Sequence, residues 1–373
     1  MRIAAGFLVF LVFALPTWAQ PPGNAPSSLF VLGDSLSDVG NAAAAIDSVL
    51  GVSFYPEFKV GFCNPADIYV FHRDCEELIY KKSRASNGPV AVEVLAAGLG
   101  LAPLEPSFHT VPSRPVKGTD YAVAGGTAAG NGIDDLAMQV AMLRLDRGPV
   151  LPADALYVII IGGNDALAAL HSAAEAQAGI MPSEDAGQIV AAAVAAIGGA
   201  VDALSASGAK RVIVANLPDL ALLPVVRERA SQLGIDEQAV EMAALQITTS
   251  FNDALQARLS ASQTAHPDVR IEPFDLFSAA EQARLATEAA GKNVRDACFD
   301  SDTYRTSRTA QRIFDPDCAP GRDGPPRFDQ FFFWDDIHPT AAVHAAIGNA
   351  LLGLYEESWP ALANEVGSAV STD

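Results

Sequence analysis

The sequence has only four cysteines in 373 residues, and no CxxC pair or clustered Cys/His spacing among them. A structural zinc site is therefore disfavoured, and no metal or cofactor is expected. HExxH is absent, and so is GxSxG, which removes the zinc-protease helix and the usual nucleophile elbow of α/β-hydrolases. Basic residues are scarce, 24 Lys and Arg against 44 Asp and Glu, for a net charge of -20. Nucleic acid and anionic membrane surfaces are poor partners for such a chain. Internal repeats are lacking, as are low-complexity tracts beyond alanine enrichment. Past the N-terminus no apolar stretch reads as long enough to span a bilayer, so the mature chain is expected to carry no transmembrane anchor.

What is present points to a large folded body. Half of the residues are hydrophobic, enough to bury a sizeable core in one or at most two domains. Residues 1–19 stand apart. Arg2 is followed by an apolar core from Ile3 to Leu15 and then by Pro16-Thr17-Trp18-Ala19, the pattern of a secretory signal peptide cleaved after Ala19. A secreted or periplasmic location is the expectation. In an oxidising compartment the cysteines should form disulfides, most simply Cys63 with Cys75 and Cys298 with Cys318, one of three connectivities open to four cysteines.

Runs at 29–32, 156–161 and 211–216 read as buried strands and 269–274 as strand-like, and the β-branched run LYVIII looks like one buried on both faces. Helical spacing covers 89–99, 134–146, 184–207, 227–233 and 237–260, and a last apolar helix spans 341–354. Strands alternating with helices imply an α/β fold, with a mostly parallel sheet covered on both faces and function at the carboxyl ends of its strands. Two stretches, about 47–87 and 293–327, show no sustained periodicity, and each holds one cysteine pair. They read as irregular insertions over the active face.

Three short motifs follow strand-like runs. Gly33-Asp34-Ser35 places a hydroxyl where a strand hands over towards a helix, although Asp and Ser are also ordinary caps. DYAVAGGTAAGNG, from Asp120, gathers glycines that let a backbone N–H approach a ligand, or that simply make a flexible turn. Gly162-Gly163-Asn164-Asp165 offers a side-chain amide, or a turn residue or cap for the following helix. Near the C-terminus, FFFWDDIHPT sets Asp335 and His338 three apart just before the last helix, so that both can converge on one cleft. A hydroxyl nucleophile needs a base within reach, and that base needs a third group to orient it. Ser35, His338 and Asp335 supply one of each. Acyl transfer also needs donors for the developing oxyanion, which the N–H groups of Ser35 and Gly125 and the amide of Asn164 could provide.

These blocks resemble the GDSL, or SGNH, family of serine esterases and lipases: GDSLSDVGN at Gly33, YAVAGG at Tyr121, GGND at Gly162 and WDDIHPT at Trp334. SNGPVAVEVLA at Ser86 and NLPDLALLP at Asn216 are further similarities, and the likeness runs from about Leu29 to Leu354. The resemblance implies a three-layer α/β/α flavodoxin-like fold over 20–373, built as a single SGNH hydrolase domain. Matched by position, it implies Ser35 as nucleophile, Asp335 and His338 as its partners, and Ser35, Gly125 and Asn164 as the oxyanion hole. Many members carry Asn where this chain has Asp120, and the glycine register leaves Gly126 as an alternative donor. Asp336 fits less well than Asp335, because the family spacing is Asp-x-x-His.

The expected function is hydrolysis of carboxylic esters, as an esterase or lipase acting on a small-molecule or lipid ester, with phospholipase and acyltransferase activity left open. The alternatives are a carbohydrate O-acetylesterase and a non-catalytic secreted binding module on the same fold; oligomeric state is not legible. The aromatic residues of the two insertions, Phe54, Tyr55, Phe58, Phe62, Phe299, Tyr304 and Phe314, continue into Phe328 and Phe331 to Trp334. They are expected either to wall an acyl site or to pin the loops to the body.

Overall fold

The structure is a computed structural model that describes residues 25–42, 84–107, 118–180, 185–299, 314–319 and 327–360. Cys63, Cys75, the 1–19 leader and most of the 47–87 insertion lie outside the described residues. Four parallel strands, β1 (Leu29–Gly33), β2 (Leu156–Ile160), β3 (Arg211–Ala215) and β4 (Arg270–Phe274), form a sheet in that order. Each residue of β1 and β2 is buried. The runs without polar alternation are the ones covered on both faces. Phe30 of β1 lies opposite Tyr157 of β2, with the rings stacked 5.3 Å apart.

A fifth extended segment, 119–123, runs along the outer edge of β1. Val31 N–H donates to Thr119 O (3.0 Å), Tyr121 N–H to Val31 O (2.7 Å) and Val123 N–H to Gly33 O (3.1 Å). Counted along the chain this segment is second, so the lateral order is 2-1-3-4-5. That is the flavodoxin-like order, whose switch point flanks the first strand. The chain crosses from one side of β1 to the other there, and a crevice opens at the strand ends. Ser35 follows β1 and Asn164 follows β2, on either side of that crevice.

Helices form the outer layers. α1 (Ala91–Gly98), α7 (Leu276–Ala289) and α8 (Ala341–Ser358) pack together, while α2 (Leu136–Arg147), α3 (Gly163–Gln177), α4 (Ala186–Ala206), α5 (Pro224–Leu233) and α6 (Glu237–Ala265) make the other layer. α4 shows why its sequence is helical. Asp185 caps it by accepting from Gly187 N–H (2.9 Å), and Val190, Ala193, Val194, Ile197, Val201 and Leu204 recur on one buried face. Contrary to the sequence reading, α4 is long and apolar enough to cross a membrane by length and composition. It packs against α2, α3 and α6 instead, which accounts for its apolar face.

The 293–327 stretch is less irregular than its sequence suggests. Asn293–Ala297 is a strand, β5, paired in parallel with β6 (Phe331–Phe333). The alternation is hidden because β5 is exposed or half-buried along its length. Cys298 and Cys318 are joined, with Cα atoms 5.3 Å apart, inside a second small core with Phe299, Phe314, Phe331 and Trp334. These aromatics pin the insertion to the body rather than wall a substrate site. Cys318→Ser should remove about 2–4 kcal/mol of constraint. Amide exchange should accelerate in β5 and at Phe299 while β1 to β4 keep their protection; equal acceleration in both sheets would contradict this division.

Candidate active site

Gly33 ends β1 where space runs out: a Cβ there would fall 2.4 Å from Ile160 O and 2.3 Å from Ser37 Oγ. Gln139 of α2, buried, clamps the same residue, accepting from Gly33 N–H (2.8 Å) and donating to Gly33 O (2.7 Å). The chain then makes a helical turn, with Asp38 N–H donating to Asp34 O (3.0 Å), and this turn presents half-buried Ser35 to the crevice.

Opposite it, the segment after β6 folds back on itself. Trp334 N–H donates to His338 O (2.8 Å) and Thr340 N–H to Phe332 O (2.9 Å), leaving Asp335 to His338 at the bend. Asp335 Oδ1 accepts the N–H groups of Ile337 (2.9 Å) and His338 (2.6 Å). Both its oxygens also lie against His338 Nδ1, at 2.9 and 2.8 Å, and His338 Nε2 is 2.7 Å from Ser35 Oγ. Ser35, His338 and Asp335 therefore form one hydrogen-bonded chain across 303 residues of sequence. Asp336 is buried alongside, but Asp335 is the carboxylate on the ring nitrogen. From the side of α8, Asn87 Oδ1 accepts the first helical N–H, that of Ala341 (2.8 Å), and so ties the bend to the start of α1.

The glycine block makes a four-residue turn closed by Gly126 N–H donating to Val123 O (3.0 Å), with Gly125 at φ +86°. Positive φ at the third position is the mark of a type II turn. Gly126 has thus spent its N–H within the turn, whereas that of Gly125 donates to no group among the described residues. Asn164 sits in the first turn of α3, where Gly162 is the cap, and its Nδ2 donates to Gly126 O (2.8 Å). Its second amide hydrogen remains for the crevice, where Asn164 and Ser35 share a wall.

Buried carboxylates knit these loops. Asp38 accepts from the N–H groups of Gly40 (2.6 Å), Asn41 (2.6 Å), Ala42 (3.0 Å) and Ala124 (2.8 Å). Asp120 accepts Ala122 N–H on one oxygen (3.0 Å) and Val39 N–H on the other (2.7 Å). An asparagine there could accept on one oxygen only, which gives a physical reason for the aspartate. Burial and the nearby Asp38 push Asp120 well above the usual carboxylate range, against the pull of those N–H bonds. Asp165 accepts Ala128 N–H (2.8 Å) and Ala129 N–H (3.1 Å). Of these groups, Asp38 and Asn41 lay inside the first sequence block, while Gln139 was signalled only as a polar residue on the apolar stripe of α2.

The cavity beside Ser35 is apolar and runs past the ends of β2 to β4. Its walls include Leu167, Leu217, Leu220, Leu223, Leu276 and Phe277, with Ala280, Ile337 and Ile347. The leucines of NLPDLALLP and the start of α7 therefore form the apolar wall that was one of the two expectations for the insertion aromatics. Of the described aromatics in that set only Phe332 and Phe333 line it; Phe54, Tyr55, Phe58, Phe62 and Tyr304 lie outside the described residues.

A family model described as GDSL-like lipase/acylhydrolase matches residues 29–351. The chain belongs to the GDSL family. Its similarity to individual members is modest. A GDSL esterase/lipase of Arabidopsis thaliana is 24% identical over 92% of this chain and 96% of its own, and a second is 23% identical over 98% and 96%. Phosphatidylcholine-sterol acyltransferase of Aeromonas hydrophila is 24% identical over 94% and 96%. As a GDSL protein the chain is a carboxylic ester hydrolase, with the α/β architecture and parallel sheet described above.

The electrostatics of this GDSL site are acidic. Burial opposes charge on His338, but the Asp335 carboxylate and its hydrogen bond, helped by Asp34 and Asp336, outweigh it and raise the imidazole above its ordinary value. Asp34 is itself pushed up to about 6 by burial, against Leu36 N–H and His338. A base must be neutral, so raising His338 moves the acid limb of kcat/KM upwards. With a neutral ester the limb should lie above ~6.5, and Asp335→Asn should move it down. A parent limb below that value in a pH–rate profile would contradict this account.

Proposed function

We propose that this hydrolase is secreted and cleaves neutral esters of hydrophobic acids through Ser35, His338 and Asp335. The observation that carries the reading is the unbroken chain from Ser35 Oγ through the imidazole to Asp335, at 2.7 and 2.8 Å. Ser35 Oγ attacks the ester carbonyl carbon while its proton passes to His338 Nε2. The carbonyl oxygen becomes an oxyanion held by the N–H groups of Ser35 and Gly125 and by Asn164 Nδ2. Collapse breaks the ester C–O bond, and His338 gives its proton to the departing alkoxide. Water repeats the sequence on the acyl-enzyme, releasing the acid and restoring Ser35. Asp335 holds Nδ1–H towards itself and stabilises the imidazolium without taking the proton.

The leucine slot supports an acyl group over an acetylated sugar, because each buried CH₂ contributes about 0.8 kcal/mol, or ~4-fold in kcat/KM. A carbohydrate O-acetylesterase would need a mostly polar groove, whereas these walls are mostly apolar, with Asn216, Asp219 and Glu281 as polar exceptions. Among the described residues no Lys or Arg lines the slot, while Asp34, Asp219 and Glu281 do, which disfavours anionic lipids. Secretion rests on the leader sequence and fits the Cys298–Cys318 disulfide.

The test is an ester panel on the parent and four variants. Ser35→Ala should abolish turnover. Asp335→Asn should lower kcat by about 10⁴, and Asp336→Asn far less; equal losses would overturn the assignment of the orienting carboxylate. kcat/KM should rise from acetyl to medium-length acyl esters. Ala280→Trp, which fills the slot from α7, should erase that rise and leave acetyl turnover nearly unchanged. A strict preference for acetylated sugars with no gain on lengthening the acyl group would refute the substrate class.

A further inference from the structure

We infer that Asp38 and Asp165 are positioning residues for the oxyanion hole, fixing the glycine turn from two sides so that Gly125 N–H faces the reacting carbonyl. The inference deepens the proposed mechanism and rests on Ser35 being the nucleophile.

A four-residue turn closed by one hydrogen bond does not fix its middle peptide. Types I and II share the closing bond and differ by a flip of the plane between the second and third residues. In the turn here that plane is Ala124–Gly125, the one that carries the Gly125 N–H. Gly125 itself is exposed, has φ +86°, and among the described residues nothing lies within 4 Å of where its Cβ would be. Its own surroundings therefore do not hold it, and the constraint comes from its flanks. On one side Asp38, only 1% exposed, takes Ala124 N–H at 2.8 Å while gripping three N–H groups of the chain just after Ser35. One carboxylate thus spans the nucleophile block and the residue before the donor. On the other side Asp165, 4% exposed, takes Ala128 and Ala129 N–H, and its neighbour Asn164 donates to Gly126 O. The donors assigned to the oxyanion are thereby tied into one body. Neither carboxylate reaches the substrate, so each would act through Gly125.

Asp38→Asn puts an NH₂ where an oxygen accepts N–H donors, and Asp165→Asn does the same on the far side. Each should lower kcat about 100-fold, the scale of a 1 Å misplacement, with KM little changed. A linear alkylboronic acid, whose tetrahedral adduct places an oxygen in the oxyanion position, should lose affinity by the same factor. Boronate binding to the parent that Ser35→Ala abolishes tests the underlying nucleophile assignment separately. Folded variants with unchanged kcat and boronate affinity would overturn the inference, as would a loss confined to KM. Amide exchange on the parent is the companion measurement and does not depend on either variant folding. Ala124 and Ala128 should be protected in the free enzyme, and Gly125 should gain protection only with boronate bound. An unprotected Ala124, or no change at Gly125, would also overturn it.

Discussion

The site depends on buried carboxylates that collect backbone N–H groups where the parallel sheet stops. Loops leaving strand ends have no ladder to satisfy their amides, and a buried carboxylate without donors is costly. Here each requirement answers the other. Asp38, Asp120 and Asp165 take N–H groups from the segment after β1, from the edge segment 119–123 and its glycine turn, and from the loop that leads towards α2. Asp335 does the same at the bend before α8. Stretches around 34–42, 120–129, 164–165 and 335–338, far apart in the chain, thus meet around the strand ends where Ser35 and His338 are aligned.

The same device sets the character of the cleft. Carboxylates crowd around a single histidine, and their field raises its basicity against the penalty of burial. Asp34 lines the slot next to Ser35 and, at about 6, changes charge near neutrality. With a chain charge of -20, the field disfavours approach of anionic substrates and favours departure of the carboxylate product.

Much of this was legible in the sequence, for identifiable reasons. β1 to β3 are short, mostly apolar runs, β4 is the more polar RIEPF, and the helices between them are periodic, so element type and a mostly parallel sheet followed. Ser35, Asn164, Asp335 and His338 were legible because chemistry concentrates in blocks that end strands. Contacts that join distant segments were not. The 119–123 edge reads as loop because glycines follow it, yet β1 supplies its partners. Nothing in the sequence around Gln139 announces its role, because its partner Gly33 lies 106 residues away. The leucines of 217–223 look like core in any pattern, since lining a cavity and filling one need the same residues. Conversely, the insertion aromatics read equally as a wall or as pins, and the core around the Cys298–Cys318 link holds Phe299 and Phe314 as pins.

The account stands on one serine being singled out by its neighbours from all the others in the chain. Peptide mapping by mass spectrometry after reaction with a medium-chain alkyl fluorophosphonate tests this most directly. One adduct per molecule on the peptide containing Gly33-Asp34-Ser35, with its rate following the ionisation of His338, is the predicted result. An adduct on any other serine, or none on an active preparation, would contradict it.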